Sequence, residues 1–273
     1  MIVVTGATGN VGRALVELLV AAGEDVVGVA RHAPDGGLPG GAAFRAGDLG
    51  DPGGLKEVFA GGDAAFLLVA GDDPAAVVDA ARSAGVRRLV LLSSQGAGTR
   101  PDAYAHAVAY EQAVRASGLA WTVLRPGGFA SNAFQWAEGV RAARTVAAPF
   151  GDVALPAVHP ADLAEAAAVV LRGDAHAGQV YELTGGEALT PRERVRVLAD
   201  VLGEPVRYVE QSRAEAAEQL ARFMPPPVLE ATLGILGAPT GHERTPAPDL
   251  ARLLGRPPRT FADWAAANAD AFR

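Results

Sequence analysis

Residues 1–34 read MIVVTGATGNVGRALVELLVAAGEDVVGVARHAP. A β-branched run from Ile2 to Thr5 stops at Gly6. Gly9 and Gly12 follow at intervals of three, and an amphipathic stretch then runs to Gly23. The order is strand, tight turn, helix, strand. Each glycine has its own use at such a junction. Gly6 permits the turn, Gly9 lets backbone approach a bound group with no Cβ in the way, and Gly12 lets the helix pack close to the strand. The amides that open the helix carry the positive end of its dipole, which suits an anion.

The alternation continues along the chain. Further strands are expected at 25–31, 42–48, 64–70, 87–94 and 120–129, with helices near 53–61 and 74–84 and a long one over 102–118. Past residue 130 the pattern loosens. A short helix is expected over 131–143, and an extended piece then a helix over 152–173 with Asp162 near its start. A strand at 179–185, a helix over 190–203 and a last strand at 206–211 follow. Thr190 and Pro191 have the residue types of an N-cap and a first helical position. The fold class is therefore α/β: a Rossmann-type doubly wound parallel sheet with a smaller C-terminal lobe. The core is assigned to 1–130. The lobe is assigned to 131–273, with some segments returning to the core.

Composition bounds the function. The 273 residues carry a net charge of −7, which argues against a nucleic-acid partner. Cysteine is absent, so disulfides and thiol chemistry are excluded, and no acidic cluster suggests a metal. No apolar run reaches the length of a membrane span, and Met1 leads straight into a strand pattern. A cytoplasmic protein is expected.

A glycine turn at the first strand–helix junction of a βαβ unit is the context in which it binds a dinucleotide. Gly6, Thr8, Gly9, Asn10, Val11 and Gly12 are the candidates for the pyrophosphate turn. An NAD site usually carries Asp or Glu at the end of the second strand, for the ribose 2′-hydroxyl. Here that position is Ala30, followed by Arg31 and His32. No carboxylate repels a 2′-phosphate, and Arg31 offers its planar fork to one. The expected cofactor is NADP(H). His32 reads as an adenine-stacking residue or as a solvated loop histidine. Asp48, followed by Leu49, reads as an acceptor for the adenine amino group or as a helix cap. Val69 and Ala70 end the fourth strand beside the expected adenosine ribose.

Four stretches, VTGATGNVG, ARHAP, EQAVRASGLAWTVLRPGGFASN and GQVYELTGGEALTPRE, together resemble the NmrA-like group of atypical short-chain dehydrogenases/reductases. Within that group the likeness is nearest to the NADPH-dependent quinone oxidoreductases, and it covers essentially the whole chain. The resemblance implies a cofactor along the carboxyl ends of the strands and a substrate under the C-terminal lobe. It implies Ser93 and Ser94 beside the nicotinamide ribose, and Pro126, Gly127, Gly128 and Phe129 as a wall beside the nicotinamide.

The chain departs from most short-chain dehydrogenases in lacking Tyr-x-x-x-Lys. Tyr104 is followed four residues on by Val108 and Tyr110 by Val114, and the only lysine is Lys56. A tyrosine without that lysine is a poor base. Tyr104, His106 and Tyr110 remain as proton donors on the helix expected after strand five. Spacing puts 106 and 110 on one side. His106 is preferred because its ordinary pKa lies near neutrality. The expected activity is hydride transfer from NAD(P)H to a quinone-like or small aromatic or carbonyl acceptor. The alternative is a non-catalytic NADP(H) sensor that controls a protein partner. Phe129, Phe134, Trp136, Phe223 and Met224 form an apolar set, read as an acceptor pocket or as the core of the lobe. A homodimer is the expected self-association.

Overall fold

The computed structural model describes all 273 residues. In chain order the first elements are β1 (Ile2–Thr5), α1 (Gly12–Ala21), β2 (Val26–Ala30), β3 (Ala43–Ala46), α2 (Leu55–Phe59), β4 (Ala64–Leu68), α3 (Pro74–Ser83), β5 (Arg88–Leu92), α4 (Gly96–Thr99), α5 (Ala105–Ala116) and β6 (Ala120–Pro126). There follow β7 (Gly128–Phe129), α6 (Ala137–Ala143), β8 (Thr145–Pro149), β9 (Leu155–Val158), α7 (Pro160–Arg172), β10 (Gln179–Leu183), β11 (Ala188–Leu189), α8 (Pro191–Leu202) and β12 (Arg207–Gln211). Five helices complete the chain: α9 (Arg213–Leu220), α10 (Pro226–Gly237), α11 (Gly241–Arg244), α12 (Asp249–Leu254) and α13 (Phe261–Ala267).

Two compact units result. One comprises Met1–Ala97, Ala105–Pro126 and Pro160–Glu182; the other comprises Gly98–Tyr104, Gly127–His159 and Leu183–Arg273.

The first unit is built on a seven-stranded sheet in the order β10-β6-β5-β4-β1-β2-β3. The pairs from β6 across to β3 are parallel. Both faces are covered: α2, α3 and α5 supply Val58, Phe59, Val77, Val78, Tyr110 and Val114 to one core, and α1 packs on α7. Strands buried on both sides read as continuous apolar runs, which is how MIVV and RRLVLL read. The chain reverses its direction of winding between β1 and β4, so the carboxyl ends of these strands open a crevice.

The second unit holds two small sheets. β8 and β12 pair in parallel, and β9 lies between β11, antiparallel, and β7, parallel. Its core gathers Trp136, Val140, Val146, Val195, Leu198, Phe261, Trp264 and Phe272. Capping boxes at Thr190/Glu193, Ser212/Glu215, Thr240/Glu243 and Thr260/Asp263 set the starts of four helices.

Three expectations are corrected. The strand expected over 120–129 is two strands, because Pro126 has no N–H to continue the ladder. Its carbonyl accepts from Gln95 N–H at 2.9 Å, the Gly127 N–H goes to the Leu183 carbonyl at 3.0 Å, and Gly128–Phe129 joins β9 instead. The helix expected from Asp102 begins at Ala105. The Arg100 carbonyl accepts from the N–H groups of Ala103 and Tyr104, closing a turn ahead of the helix, so Tyr104 is not on it. Strand β8 was not expected at all: TVAAP is short and alanine-rich, and its pairing partner lies some sixty residues on.

Candidate functional site

At the carboxyl ends of β1, β2 and β4 the first unit carries a cleft of about 540 Å³. Gly6, Thr8 and Gly9 of the turn, the Arg31–His32 pair, the Gly47–Leu49 segment and Leu68, Ala70 and Gly71 line it. The turn is built as its spacing suggests. Gly6 has φ +64°, and a Cβ there would lie 2.2 Å from Leu68 Cδ1. A Cβ on Gly12 would lie 2.2 Å from the Gly6 carbonyl oxygen, so this glycine is what lets α1 close onto the turn. A Cβ on Gly9 would meet only the Gly6 oxygen, at 3.2 Å, and Gly9 borders the cleft. No side chain caps α1, and its first turn holds no acidic residue. Its opening amides therefore keep their affinity for an anion.

Beyond the turn, β2 ends at Ala30, and Arg31 and His32 are exposed at the cleft edge. Asp48 lines the cleft and also makes a local turn, with its Oδ1 accepting from the Gly50 N–H at 2.9 Å. Leu49 is buried beneath the cleft surface. Thr5, Val29, Ala30, Gly47, Leu68 and Gly71 are lining residues that the sequence reading did not assign to the cofactor, although it used Ala30 as the position without a carboxylate. Three of them, Thr5, Ala30 and Leu68, are the last residues of their strands, a signal available from the rule that ligands sit at strand carboxyl ends. Thr5 fastens two of those ends, donating its hydroxyl to the Phe66 carbonyl at 2.9 Å and accepting from the Leu68 N–H at 3.1 Å. Of the residues expected here, Asn10, Val11, Gly12 and Val69 are not among those lining the cleft.

The ends of β5 and β6 are joined by a buried charged group that sequence reasoning missed. Glu111 of α5 is 4 % exposed. It accepts from the Ser93 hydroxyl at 2.7 Å, from Arg125 Nε and Nη2 at 2.8 and 2.7 Å, and from Arg115 Nη2 at 3.1 Å. Burial pushes its carboxyl upward, but the bonds from Arg125 and Ser93 outweigh burial and hold it below its ordinary value. Ser94 points elsewhere and accepts from the Gly96 N–H at 3.1 Å.

The proton-donor candidates separate. His106 is exposed, with its ring edge-on to Tyr110 at 5.3 Å. Tyr110 itself is fully buried and its hydroxyl donates to the Ala70 carbonyl. Burial pushes this phenol up to about 12. It is not free to give a proton to an acceptor, so that role is withdrawn. Tyr104 belongs to the second unit.

The apolar set also divides. Phe134 packs on Trp264 at 4.9 Å and on Phe272 at 6.2 Å, and Trp136 belongs to the core of the second unit. Phe223 is 79 % exposed, Met224 is half-buried, and Phe129 sits in β7.

The model of a family described as NAD(P)H-binding matches residues 6–174, which spans every residue of this cleft but Thr5. The chain belongs to the NAD(P)H-binding family. It is 40 % identical over 284 residues to a (4-alkanoyl-5-oxo-2,5-dihydrofuran-3-yl)methyl phosphate reductase of Streptomyces griseus, covering all of this chain and 99 % of that one. It is 30 % identical over 276 residues to quinone oxidoreductase 2 of Escherichia coli, covering 96 % of each. A crystal structure of the NADPH-dependent quinone oxidoreductase of Escherichia coli complexed with NADPH superposes with a TM-score of 0.80. That match is 27 % identical and covers 98 % of this chain and 99 % of the other. The class of NAD(P)H-dependent oxidoreductase holds for this member of the family as well. No helix is long and apolar enough to cross a membrane.

Proposed function

We propose that this protein is an NADPH-dependent reductase that transfers hydride to a quinone-like or other electron-poor conjugated acceptor. One observation carries the cofactor choice: the edge of the cleft presents Arg31 and His32 directly after Ala30, where an NAD site would hold a carboxylate. The donor set fits a dinucleotide with a 2′-phosphate. Arg31 supplies a planar fork, the Thr8 hydroxyl a further donor, and the uncapped start of α1 a place for the pyrophosphate. Gly9 leaves room for it.

When bound, NADPH supplies the hydride. The chain's own part is to bind and orient, since a positioned acceptor that takes electrons readily needs little further help. The ends of β5 and β6, with Ser93, are the surfaces proposed for the nicotinamide half. His106 is the proposed proton donor. The tyrosine–lysine dyad that makes an alcohol-oxidising base is absent, so the reaction runs toward reduction at neutral pH.

The test is NADPH oxidation against a panel of quinones and conjugated carbonyl compounds, beside an NADP-driven alcohol oxidation. Quinone-dependent turnover without alcohol oxidation is the expected result. Tight NADPH binding with no turnover on any acceptor refutes the reductase reading in favour of a sensor. Unchanged turnover in His106→Ala removes His106 as donor while leaving hydride transfer in place.

A further inference from the structure

We propose that Tyr110 is a positioning residue for the adenosine half of the cofactor, its hydroxyl holding the Ala70 wall of the cleft in place. The inference rests on the NADPH reading of that cleft. Ala70 and Gly71 follow β4 and line the cleft directly. Ala70 packs against the core and Gly71 has no side chain, so a hydrogen bond to the Ala70 carbonyl adds the directional hold that packing alone does not give. The Tyr110 hydroxyl reaches across from α5 and donates to the Ala70 carbonyl, forty residues away in sequence. The ring is wholly buried in the core formed with Val77, Val78, Leu89, Leu91 and Val114, so the strut is rigid at its base.

The next residue carries the position onward. Gly71 has φ +85°, and a Cβ there would lie 2.3 Å from the Leu49 carbonyl oxygen. The β4–α3 loop and the Asp48–Gly50 loop thus touch backbone to backbone, and both line the cleft. On the far side the loop is closed by Asp73, which caps α3 by accepting from the Ala76 N–H at 2.9 Å. The loop is pinned at Asp73, at Leu49 and at the Tyr110 hydroxyl. Only the last is a single removable atom. The raised phenol stays protonated across the working range of pH, so the bond is always donated.

Tyr110→Phe removes that atom and keeps the ring in its core. Loss of one such hydrogen bond at a binding wall corresponds to about a three- to tenfold change in affinity. The experiment titrates wild type, Tyr110→Phe and Val114→Ala with NADPH and with adenosine 2′,5′-bisphosphate, and records melting without ligand and kcat at saturating NADPH. Val114 lies one turn further along α5 in the same core, so its truncation loosens packing while leaving the Tyr110 hydroxyl and its bond to the Ala70 carbonyl in place. The expected result is a matched rise in Kd for both ligands in Tyr110→Phe with kcat unchanged. Val114→Ala should lower the melting temperature and leave both Kd values alone. Hydrogen exchange of the Ala70–Asp73 amides should quicken in Tyr110→Phe only. Unchanged Kd values in Tyr110→Phe overturn the inference, as does an equal rise in Val114→Ala. Wild type that binds neither ligand overturns the cofactor reading itself, which sets that failure apart from the failure of the strut.

Discussion

Replacing Glu111 with Gln changes one atom at the centre of the buried network in α5. Each carboxylate oxygen of Glu111 accepts from an arginine: Oε1 from Arg125 Nε, and Oε2 from Arg125 Nη2 and Arg115 Nη2. Whichever end of the new amide carries the NH2 group, it meets an arginine N–H, donor against donor. No rotation of the side chain satisfies both sites. Breaking a buried ion pair by removing one partner's charge costs about 3–5 kcal/mol. The Arg125 side chain is 19 % exposed, which lets water take over part of its solvation and sets the expected loss near the lower end, about 3 kcal/mol. At about 2–4 °C per kcal/mol for a chain of this size, the melting temperature should fall by about 6–12 °C. Arg115→Ala is the control. Its side chain is 43 % exposed, so its loss should cost less than about 1 kcal/mol.

The pH dependence gives a second reading of the same substitution. The Glu111 carboxyl is lowered from 4.5 in the folded protein. A lowered acid stabilises fully above its unfolded value and loses that contribution as pH falls through its folded value. The gap between wild type and Glu111→Gln should therefore be widest at pH 6–7 and narrow below about pH 4.5. Urea unfolding followed by circular dichroism at several pH values measures both quantities. A loss under about 1 kcal/mol at pH 7, or a gap that does not narrow in acid, would refute the account of the network.

Arg31→Ala should weaken NADPH binding by about 1.5–3 kcal/mol and leave NADH nearly untouched, as read by calorimetric titration of both cofactors. Gly9→Ala should fold, since its Cβ meets only the Gly6 oxygen at 3.2 Å, yet bind NADPH at least about tenfold more weakly. Gly12→Ala should instead destabilise the protein by about 1–3 kcal/mol, because its Cβ would lie 2.2 Å from the Gly6 oxygen; thermal melts of the pair separate the two roles. Glu243 is held at about 2, chiefly by its bond from Arg100, so it stabilises the fold above about pH 4.5 and ceases to do so as pH falls toward 2. Arg100→Met should weaken that acid dependence, which a smaller proton uptake on unfolding between pH 4.5 and 2 would show.

The features legible in the sequence are those whose causes lie within a few residues. The glycine turn is one, because φ +64° at Gly6 and the close approach at Gly12 are demands of backbone on backbone across a single turn. The Thr190–Glu193 cap is another, since donor and acceptor are three residues apart. The order of buried strands and the missing carboxylate after β2 belong here too. The tertiary structure alone decided what α5 does. Tyr110 and Glu111 are neighbours in the chain, yet one donates to the Ala70 carbonyl and the other accepts from Ser93 and Arg125. Helical geometry turns adjacent side chains about 100° apart, so the two face different elements, and which elements those are depends on packing set far along the chain. The break after Pro126 and the pairing of β8 with β12 have the same origin. Proline marks where the first can occur, but where the chain goes next is set by partners about thirty to sixty residues away, and no local pattern specifies such partners.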